Sequence, residues 1–417
     1  MQKLSLLLIC YSYPPYPGTG GRRWAKLSKY LAREGHSIEV VNAAGTQAPS
    51  VWLDDTKHPN IRVHSIRNRE TLTPGDVFSK AANKALFSLS KLKTKGNYAD
   101  QSLWWNAKAL ACARKVLDSG PVDYLIVSCP PYHPMYEFSS LKKDYPGLKL
   151  VLDYRDIWII RQKEKGFFAH LDDRRFEEER QKERRAIASA DYIFTVAEDM
   201  SESIREQAGS IAVHTLTNGY DEEDFADEQS LQTVYTQTGK INMLFAGSLV
   251  VDSNPYAIPF FRAIARLKKE RPELYGKLHL CIFGMVNPTI EAVIKEEGLD
   301  CVAFHKPLSS KLIGQLYRQF DYLLLFLIPY YTYAFISKFF DYLPVRKPII
   351  SVSEKGRFSG FLEEKRLGIN LEPDSIDGNL EALLDGRLSP ETDPAFDTSA
   401  FSYRELAKKF VSILRES

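Results

Sequence analysis

Five short clusters in the sequence combine residue types that can grip a polar, anionic ligand. In residues 14–23 (PPYPGTGGRR), Gly20 and Gly21 let backbone amides approach a ligand closely. The helix start behind them favours an anion, and Arg22 or Arg23 adds a cation. Residues 128–133 (SCPPYH) end in His133, a base or a hydrogen-bond partner for a hydroxyl. Residues 153–158 (DYRDIW) bring together Asp153, Arg155 and Asp156; two carboxylates and a guanidinium are costly to bury unless they pair or bind something polar. In residues 245–248 (FAGS), Gly247 permits close backbone approach to a phosphate, beside Ser248. Residues 333–342 (YAFISKFFDY) offer Ser337 as the cap of a helix starting at Lys338. The amides of that start, the helix dipole and the Lys338 ammonium suit a diphosphate. Asp341, one turn later, can accept hydrogen bonds from ribose hydroxyls.

Each cluster also has a plain structural reading. The glycines can simply close turns, His133 can be structural, and the carboxylates can form an internal Asp–Arg pair. Lys338 and Asp341 can form a surface i,i+3 pair worth only a few tenths of a kcal/mol. The combination is more specific than its parts, because all five clusters fall at strand ends and two suit phosphate.

The elements that must position them alternate. Strands are expected at 4–10, 37–42, 124–128, 148–153 and 192–196, with helices at 22–34, 136–143 and 176–190. The pattern restarts with strands at 242–246, 278–283, 302–304, 322–327 and 348–352, and helices at 259–269, 289–297, 310–320, 338–342 and 403–414. Strands rich in Val, Leu and Ile between helices argue for parallel sheets covered on both faces. Two α/β domains of similar size are expected, joined through Asn218-Gly219 and an acidic linker over 221–228. Doubly wound sheets bind ligands at the carboxyl ends of their strands, so a shared cleft is expected.

The 417 residues suit two or three domains. Apolar residues make up 44% and charged residues 26%, which excludes a disordered or collagen-like chain. Lys+Arg 55 against Asp+Glu 53 gives +2, so no nucleic-acid partner is expected from overall charge. Cys10, Cys112, Cys129, Cys281 and Cys301 have neither metal-ligand nor redox spacing and read as reduced thiols in a cytoplasmic protein. The apolar start, 4–10, reads as a buried strand rather than a signal peptide. The longest apolar stretch, 322–336, is shorter than a spanning helix and contains Pro329, so no membrane span is expected.

At these residues the chain resembles the GT-B glycosyltransferases, in particular the bacterial GT4-like retaining enzymes that use nucleotide-sugar donors. PPYPGTGGRRWAKLSKYLAREGHSIEVV is similar to their opening strand, glycine loop and first helix. VSCPPYH and DYRDIW resemble later acceptor-domain motifs, and ADYIFTVAEDM followed by TNGYDEEDF resembles the crossover into the second domain. FAGSL and SKFFDYLPVRKPIISV resemble the donor-domain phosphate loop and nucleotide-binding helix, and FSYRELAKKF the terminal helix. The resemblance implies an α/β GT-B fold: two doubly wound Rossmann-like domains facing a cleft, with a C-terminal helix returning to the N-terminal domain. The implied division is an acceptor domain over 1–218, a nucleotide-sugar donor domain over 219–399 and the returning helix over 400–417. Asp341 takes the place of the second glutamate of the family's E-x7-E pattern, a ribose-binding position. The first falls at Tyr333, a departure, and the usual basic residues are replaced by VVDSN at 250–254.

The resemblance implies transfer of a sugar from a UDP-, GDP- or ADP-sugar to a saccharide or lipid-linked acceptor, in cell-surface polysaccharide biosynthesis. The nucleotide sugar is a substrate; no cofactor and no metal are expected, since the sequence has no clustered ligand set. Donor binding falls to Gly20, Gly21, Arg22, Gly247, Ser248, Ser337, Lys338 and Asp341, with His133, Arg155 and Asp156 as catalytic candidates. Front-face attack needs no strong base, which leaves His133 to hydrogen-bond the sugar. Residues 80–95 (KAANKALFSLSKLKTK) interleave five lysines with apolar residues, which suits peripheral contact with the inner face of the plasma membrane. A solvated helix packed on its own domain is the alternative. A nucleotide-sugar epimerase on the same fold and a catalytically silent binding protein are the other readings. A nicotinamide dehydrogenase is disfavoured, because Arg23 stands where a third glycine belongs.

Overall fold

The computed structural model describes residues 2–44, 50–68, 88–90, 92–95, 97–159, 168, 170–225, 231, 233–250, 255–308, 310–327 and 335–416. Most of the basic segment 80–95, together with Tyr333 and 251–254, lies outside the described residues. The chain forms two compact units, one of Met1–Thr217 with Tyr403–Ser417 and one of Asn218–Ser402.

The first unit is built on seven parallel strands: β1 (Ser5–Ile9), β2 (Ser37–Ala44), β3 (Ile61–Arg67), β4 (Tyr124–Cys129), β5 (Lys149–Tyr154), β6 (Tyr192–Thr195) and β7 (Ala212–Thr215). Their order is β3-β2-β1-β4-β5-β6-β7. Parallel pairing requires crossover connections that cover both sheet faces, so the central strands must be apolar on both sides. The run YLIVSC of β4 is buried at every residue, and Leu6, Leu7 and Leu8 of β1 are fully enclosed. The strand order reverses between β1 and β4, which opens a crevice at their carboxyl ends.

The helix Arg22–Arg33 turns Trp24, Leu27 and Leu31 inward at helical spacing. Trp24 meets Phe410 of the terminal helix Tyr403–Arg415 edge-on, with ring centroids 5.7 Å apart. Leu406, Phe410 and Leu414 are buried in the same cluster. Burial of each large apolar side chain contributes about 1.5–3 kcal/mol, enough to hold the C-terminal helix on this unit.

The second unit repeats the plan with β8 (Ile241–Ala246), β9 (Leu278–Phe283), β10 (Val302–His305), β11 (Tyr322–Phe326), β12 (Ile349–Val352) and β13 (Gly368–Leu371). Their order is β10-β9-β8-β11-β12-β13, so the reversal lies between β8 and β11. Where the chain enters and leaves this unit, Tyr220 bridges Ser402 in parallel and its amide donates to the Phe401 carbonyl at 3.1 Å.

Several elements go beyond the sequence expectation: β3, β13 and the helices Asn106–Ser119, Arg357–Glu364 and Ile376–Asp385. Part of the acidic stretch expected as a linker is instead a packed turn. Glu222–Phe225 is a 3-10 turn whose Phe225 ring lies against Gly314 so closely that a Cβ there would sit 2.4 Å from it. No helix among the described residues is long and apolar enough to cross a membrane.

Candidate functional site

In the second unit, the cluster at 245–248 and residues 335–342 of the other cluster converge on the β8/β11 reversal. Gly247 follows β8 directly, and its amide donates to the Phe283 carbonyl at the end of β9, 2.7 Å away. Gly247 adopts φ +136°, a region favouring glycine. A Cβ on it would lie 2.2 Å from Lys338 Cε, so its bare backbone is the surface across which the lysine extends.

Lys338 comes from the short helix Ser337–Tyr342, which Phe339, Phe340 and Tyr342 anchor in the core. The Tyr342 hydroxyl donates to the Leu324 carbonyl of β11 at 3.3 Å. With that face fixed inward, Ser337 is exposed while Lys338 and Asp341 are half-buried. The Lys338 ammonium stands 5.3 Å from the centroid of the Phe245 ring. It makes no hydrogen bond or ion pair with the described residues. Burial pulls its pKa below the usual 10.5, and the charge of Asp341 opposes that shift. A desolvated cation without an acceptor is costly, and an anionic ligand would relieve that cost.

One expectation here needs correction. Ser337 is the first helical residue rather than the cap; Ile336 holds the cap position in extended conformation, and no side chain caps the start. Ser248 is exposed just beyond the glycine, so only its position links it to the site.

In the first unit the expected clusters also meet, at the β1/β4 reversal, but their charges are satisfied internally. Arg23 donates to Asp153 Oδ1 through Nε at 3.2 Å and Nη2 at 3.1 Å. It also donates to the carbonyls of Thr217 at 2.6 Å and Leu216 at 2.8 Å. Asp153 Oδ2 accepts from Trp24 Nε1 at 2.7 Å and Ser128 Oγ at 2.8 Å. Asp153 and Arg23 are 1% and 3% exposed, so this pair is structural, and Arg23 is unavailable to a diphosphate. Arg22 beside it is half-buried at the first residue of its helix. Gly20 and Gly21 also serve the protein's own packing. A Cβ on Gly21 would fall 2.1 Å from the Ser12 carbonyl oxygen, and one on Gly20 would crowd Ser12 and Arg155 at 3.1 Å.

Arg155 is committed to backbone carbonyls. Nε donates to Cys129 O at 3.1 Å, and the two terminal nitrogens donate to the carbonyls of Gly20 and Pro130. One guanidinium thus ties together the loops that follow β1, β4 and β5. Asp156, next in sequence, is half-buried; its carbonyl accepts from Cys129 Sγ at 4.0 Å, and its carboxylate makes no hydrogen bond or ion pair with the described residues. Burial raises its pKa above the ordinary carboxylate value, against the pull of Arg155.

His133 occupies an internal setting, where a side chain open to a hydroxyl was expected. It is 6% exposed, and its Nε2 lies 2.9 Å from Glu179 Oε2. Burial lowers its pKa, but Asp100 and the hydrogen bond with Glu179 outweigh that and raise it. The sequence reading missed both acids. Asp100 Oδ2 accepts from the amides of Tyr132 and His133 at 2.8 and 2.9 Å, and Oδ1 accepts from the Ser102 amide and hydroxyl at 3.0 and 2.5 Å. Glu179 also accepts from Lys182 at 2.5 Å. The Asp-x-Ser spacing was the available signal for Asp100, a turn in which the carboxylate caps its own backbone. Among the described residues, no group of three or more His, Cys, Asp or Glu could hold a metal ion.

No family model and no curated protein sequence matches the chain. Solved structures do. Sucrose-phosphate synthase from Thermosynechococcus elongatus superposes with a TM-score of 0.69 at 12% identity, over 99% of each chain. HepE from Anabaena, in complex with UDP and glucose, gives 0.65 at 12% identity, over 99% of this chain and 100% of its own. A UDP-N-acetylglucosamine 2-epimerase structure from Listeria monocytogenes gives 0.61 at 11% identity, over 100% of this chain and 96% of its own. Likeness at this identity speaks to architecture: with its two doubly wound parallel sheets and returning C-terminal helix, the chain has the GT-B fold.

Proposed function

We propose that the protein is a glycosyltransferase that binds a nucleotide-diphosphate sugar on its second unit and transfers the sugar to a hydroxyl acceptor held on the first. The carrying observation is the Lys338 ammonium, desolvated and without a hydrogen-bond acceptor among the described residues, extended over the bare backbone of Gly247 at the β8/β11 reversal. Strand-order reversals are where doubly wound sheets receive ligands, and a diphosphate supplies the charge this lysine lacks.

The reaction breaks the bond between the anomeric carbon and the β-phosphate oxygen, leaving negative charge on the diphosphate. A cation fixed against that charge stabilises the transition state more than the ground state. Lys338 is the group in that role, and Asp341 on the same half-buried face is suited to ribose hydroxyls. Two fold neighbours hold such molecules: HepE was solved with UDP-glucose, and an E. coli trehalose-6-phosphate protein with UDP-2-fluoro glucose. Retention of anomeric configuration and a role in polysaccharide biosynthesis follow the GT4-like resemblance and are part of the proposal.

A lipid-linked acceptor accords with the basic segment 80–95. Among its described residues, Leu89 and Leu92 are 50% and 76% exposed, three positions apart on one helical face. Co-sedimentation with anionic vesicles tests this. Binding lost on changing Lys93 and Lys95 to glutamate supports membrane contact, and unchanged binding removes it.

An epimerase is the second reading, since the Listeria monocytogenes fold neighbour is described as a UDP-N-acetylglucosamine 2-epimerase. A thermal-shift screen of UDP, GDP, ADP and their sugars, followed by product analysis, decides between these readings. Free nucleoside diphosphate with a transferred or hydrolysed sugar supports the transferase. An intact nucleotide sugar with changed sugar configuration supports the epimerase, and no shift with any nucleotide overturns both.

A further inference from the structure

The charges that follow β12 in the second unit are unequally committed. Ser353 and Asn370 of β13 clamp the end of the strand: Ser353 Oγ donates to Asn370 Oδ1 at 2.8 Å, and Asn370 Nδ2 donates to the Ser353 carbonyl at 2.9 Å. A short way on, the Gly356 amide donates to Ser359 Oγ at 2.9 Å and fixes the start of the helix Arg357–Glu364. Two charged residues lie between these anchors. Lys355 pairs with Glu372 at 3.1 Å. Glu354 is exposed and makes no ion pair with the described residues.

Tyr256 stands behind Glu354. It precedes the helix Ala257–Glu270, one turn ahead of Phe260, whose ring meets Phe326 at the end of β11 with centroids 5.5 Å apart. Phe326 in turn meets Phe245, the ring beneath the Lys338 ammonium, at 5.5 Å. Tyr256 is 8% exposed, and its hydroxyl is buried with no hydrogen-bond partner among the described residues. Burial and the neighbouring Glu354 carboxylate push its pKa up to about 12, so the phenol keeps its proton and faces an anion.

From these placements we infer that Glu354 accepts hydrogen bonds from the hydroxyls of the donor sugar, with Tyr256 as its positioning residue, and that the site takes neutral rather than acidic sugars. The inference rests on the nucleotide-sugar reading above and names the sugar side of the same site, wholly within the second unit. Neighbouring strands lie about 4.8 Å apart, so the end of β12, two strands from β8, is about 10 Å from Gly247. A sugar linked to a diphosphate at Lys338 spans that gap. A carboxylate repels phosphate and accepts from hydroxyls, so the end of β12 suits the sugar and not the diphosphate. A sugar bearing its own carboxylate would set two like charges side by side, with Lys338 already taken by the diphosphate; that repulsion is what excludes it.

The test uses the full chain and titration calorimetry with UDP, GDP and ADP, with their glucose conjugates, and with the glucuronate conjugate of the preferred base. Wild type should bind the glucose conjugate more tightly than the glucuronate conjugate. Glu354→Gln should leave affinity for the free nucleoside diphosphate within about twofold, weaken the glucose conjugate about 10-fold and tighten the glucuronate conjugate. Tyr256→Phe should weaken the glucose conjugate by roughly threefold and also spare the free nucleotide. Thermal melts establish that both variants fold. A glucose-conjugate affinity in Glu354→Gln within about twofold of wild type, or an equal loss for the free nucleotide, overturns the inference and leaves nucleotide binding at Lys338 standing. Absence of binding by every nucleotide and conjugate in the wild type overturns the nucleotide-sugar reading, and the inference with it.

Discussion

The two strand-order reversals of this molecule share one topology and treat charge in opposite ways. At β1/β4 the buried cation Arg23 and the buried anion Asp153 satisfy each other, with Trp24, Ser128 and two carbonyls completing the set. At β8/β11 a single half-buried ammonium, Lys338, lies over glycine backbone with no hydrogen-bond acceptor among the described residues. Fold alone therefore does not make a binding site. The first reversal has become a structural joint that pins the start of the first helix to β5 and to the end of β7, whereas at the second the Lys338 ammonium meets no acceptor among the described residues.

The contrast can be broken most forcefully at Asp153. Asp153→Ala strands the Arg23 guanidinium in a site that is 3% exposed, and should lower stability by about 3–5 kcal/mol in urea unfolding. A loss under 1 kcal/mol would mean the joint is not structural. Lys338→Ala should do the reverse, leaving the urea midpoint unchanged or slightly higher because it removes a desolvated charge. A drop in midpoint comparable to that of Asp153→Ala would erase the contrast.

Gly247→Ala sharpens it. The new Cβ meets Lys338 Cε at 2.2 Å, and alanine at φ +136° is strained by roughly 1–3 kcal/mol. Nucleotide affinity should fall because the lysine is displaced, which calorimetry would show as a weaker Kd in a protein that still folds. His133→Gln probes the internal network beside the first reversal and should have the smallest effect. A histidine whose folded pKa is raised contributes stability below its unfolded pKa of about 6.5, and that contribution disappears as pH rises through the folded pKa. Wild type should therefore exceed His133→Gln most at pH 5–6, with the gap narrowing toward pH 8 in thermal melts. A gap that widens with pH would contradict the assignment.

The sequence showed the strands that are buried on both faces, because runs such as LHLCIF at β9 are apolar throughout. It did not show β3, whose IRVHSIR pairs only with β2 and stays half open at the edge of the first sheet, nor β13, four residues long at an edge of the second. The helix Asn106–Ser119 escaped because Ala109, Ala113 and Val116, small residues with a weak apolar signature, form its buried face. In the site, position along the chain was legible and partnership was not. Arg22 and Arg23 read alike, yet one residue of helical rotation turns Arg23 inward to an aspartate 130 positions away. Arg155, lying between the two acids of DYRDIW, instead binds carbonyls. The helix Asp173–Ser189 is densely charged, yet Glu179 and Glu183 are wholly buried, with Glu179 partnering His133 and Glu183 the amide of Ile159. Long-range pairing of this kind leaves no periodicity for a sequence to display.

The central claim is that Lys338 holds the diphosphate of a nucleotide, and titration calorimetry with UDP, GDP and ADP at several pH values tests it most directly. Affinity for the preferred nucleotide should fall as pH rises through the depressed Lys338 pKa, because only the ammonium form attracts the anion. Lys338→Ala should weaken binding about 10–100-fold, the equivalent of one charge-assisted hydrogen bond of about 1.5–3 kcal/mol, and should abolish that pH dependence. Binding in Lys338→Ala as tight as in the wild type, with the same pH dependence, would contradict the account.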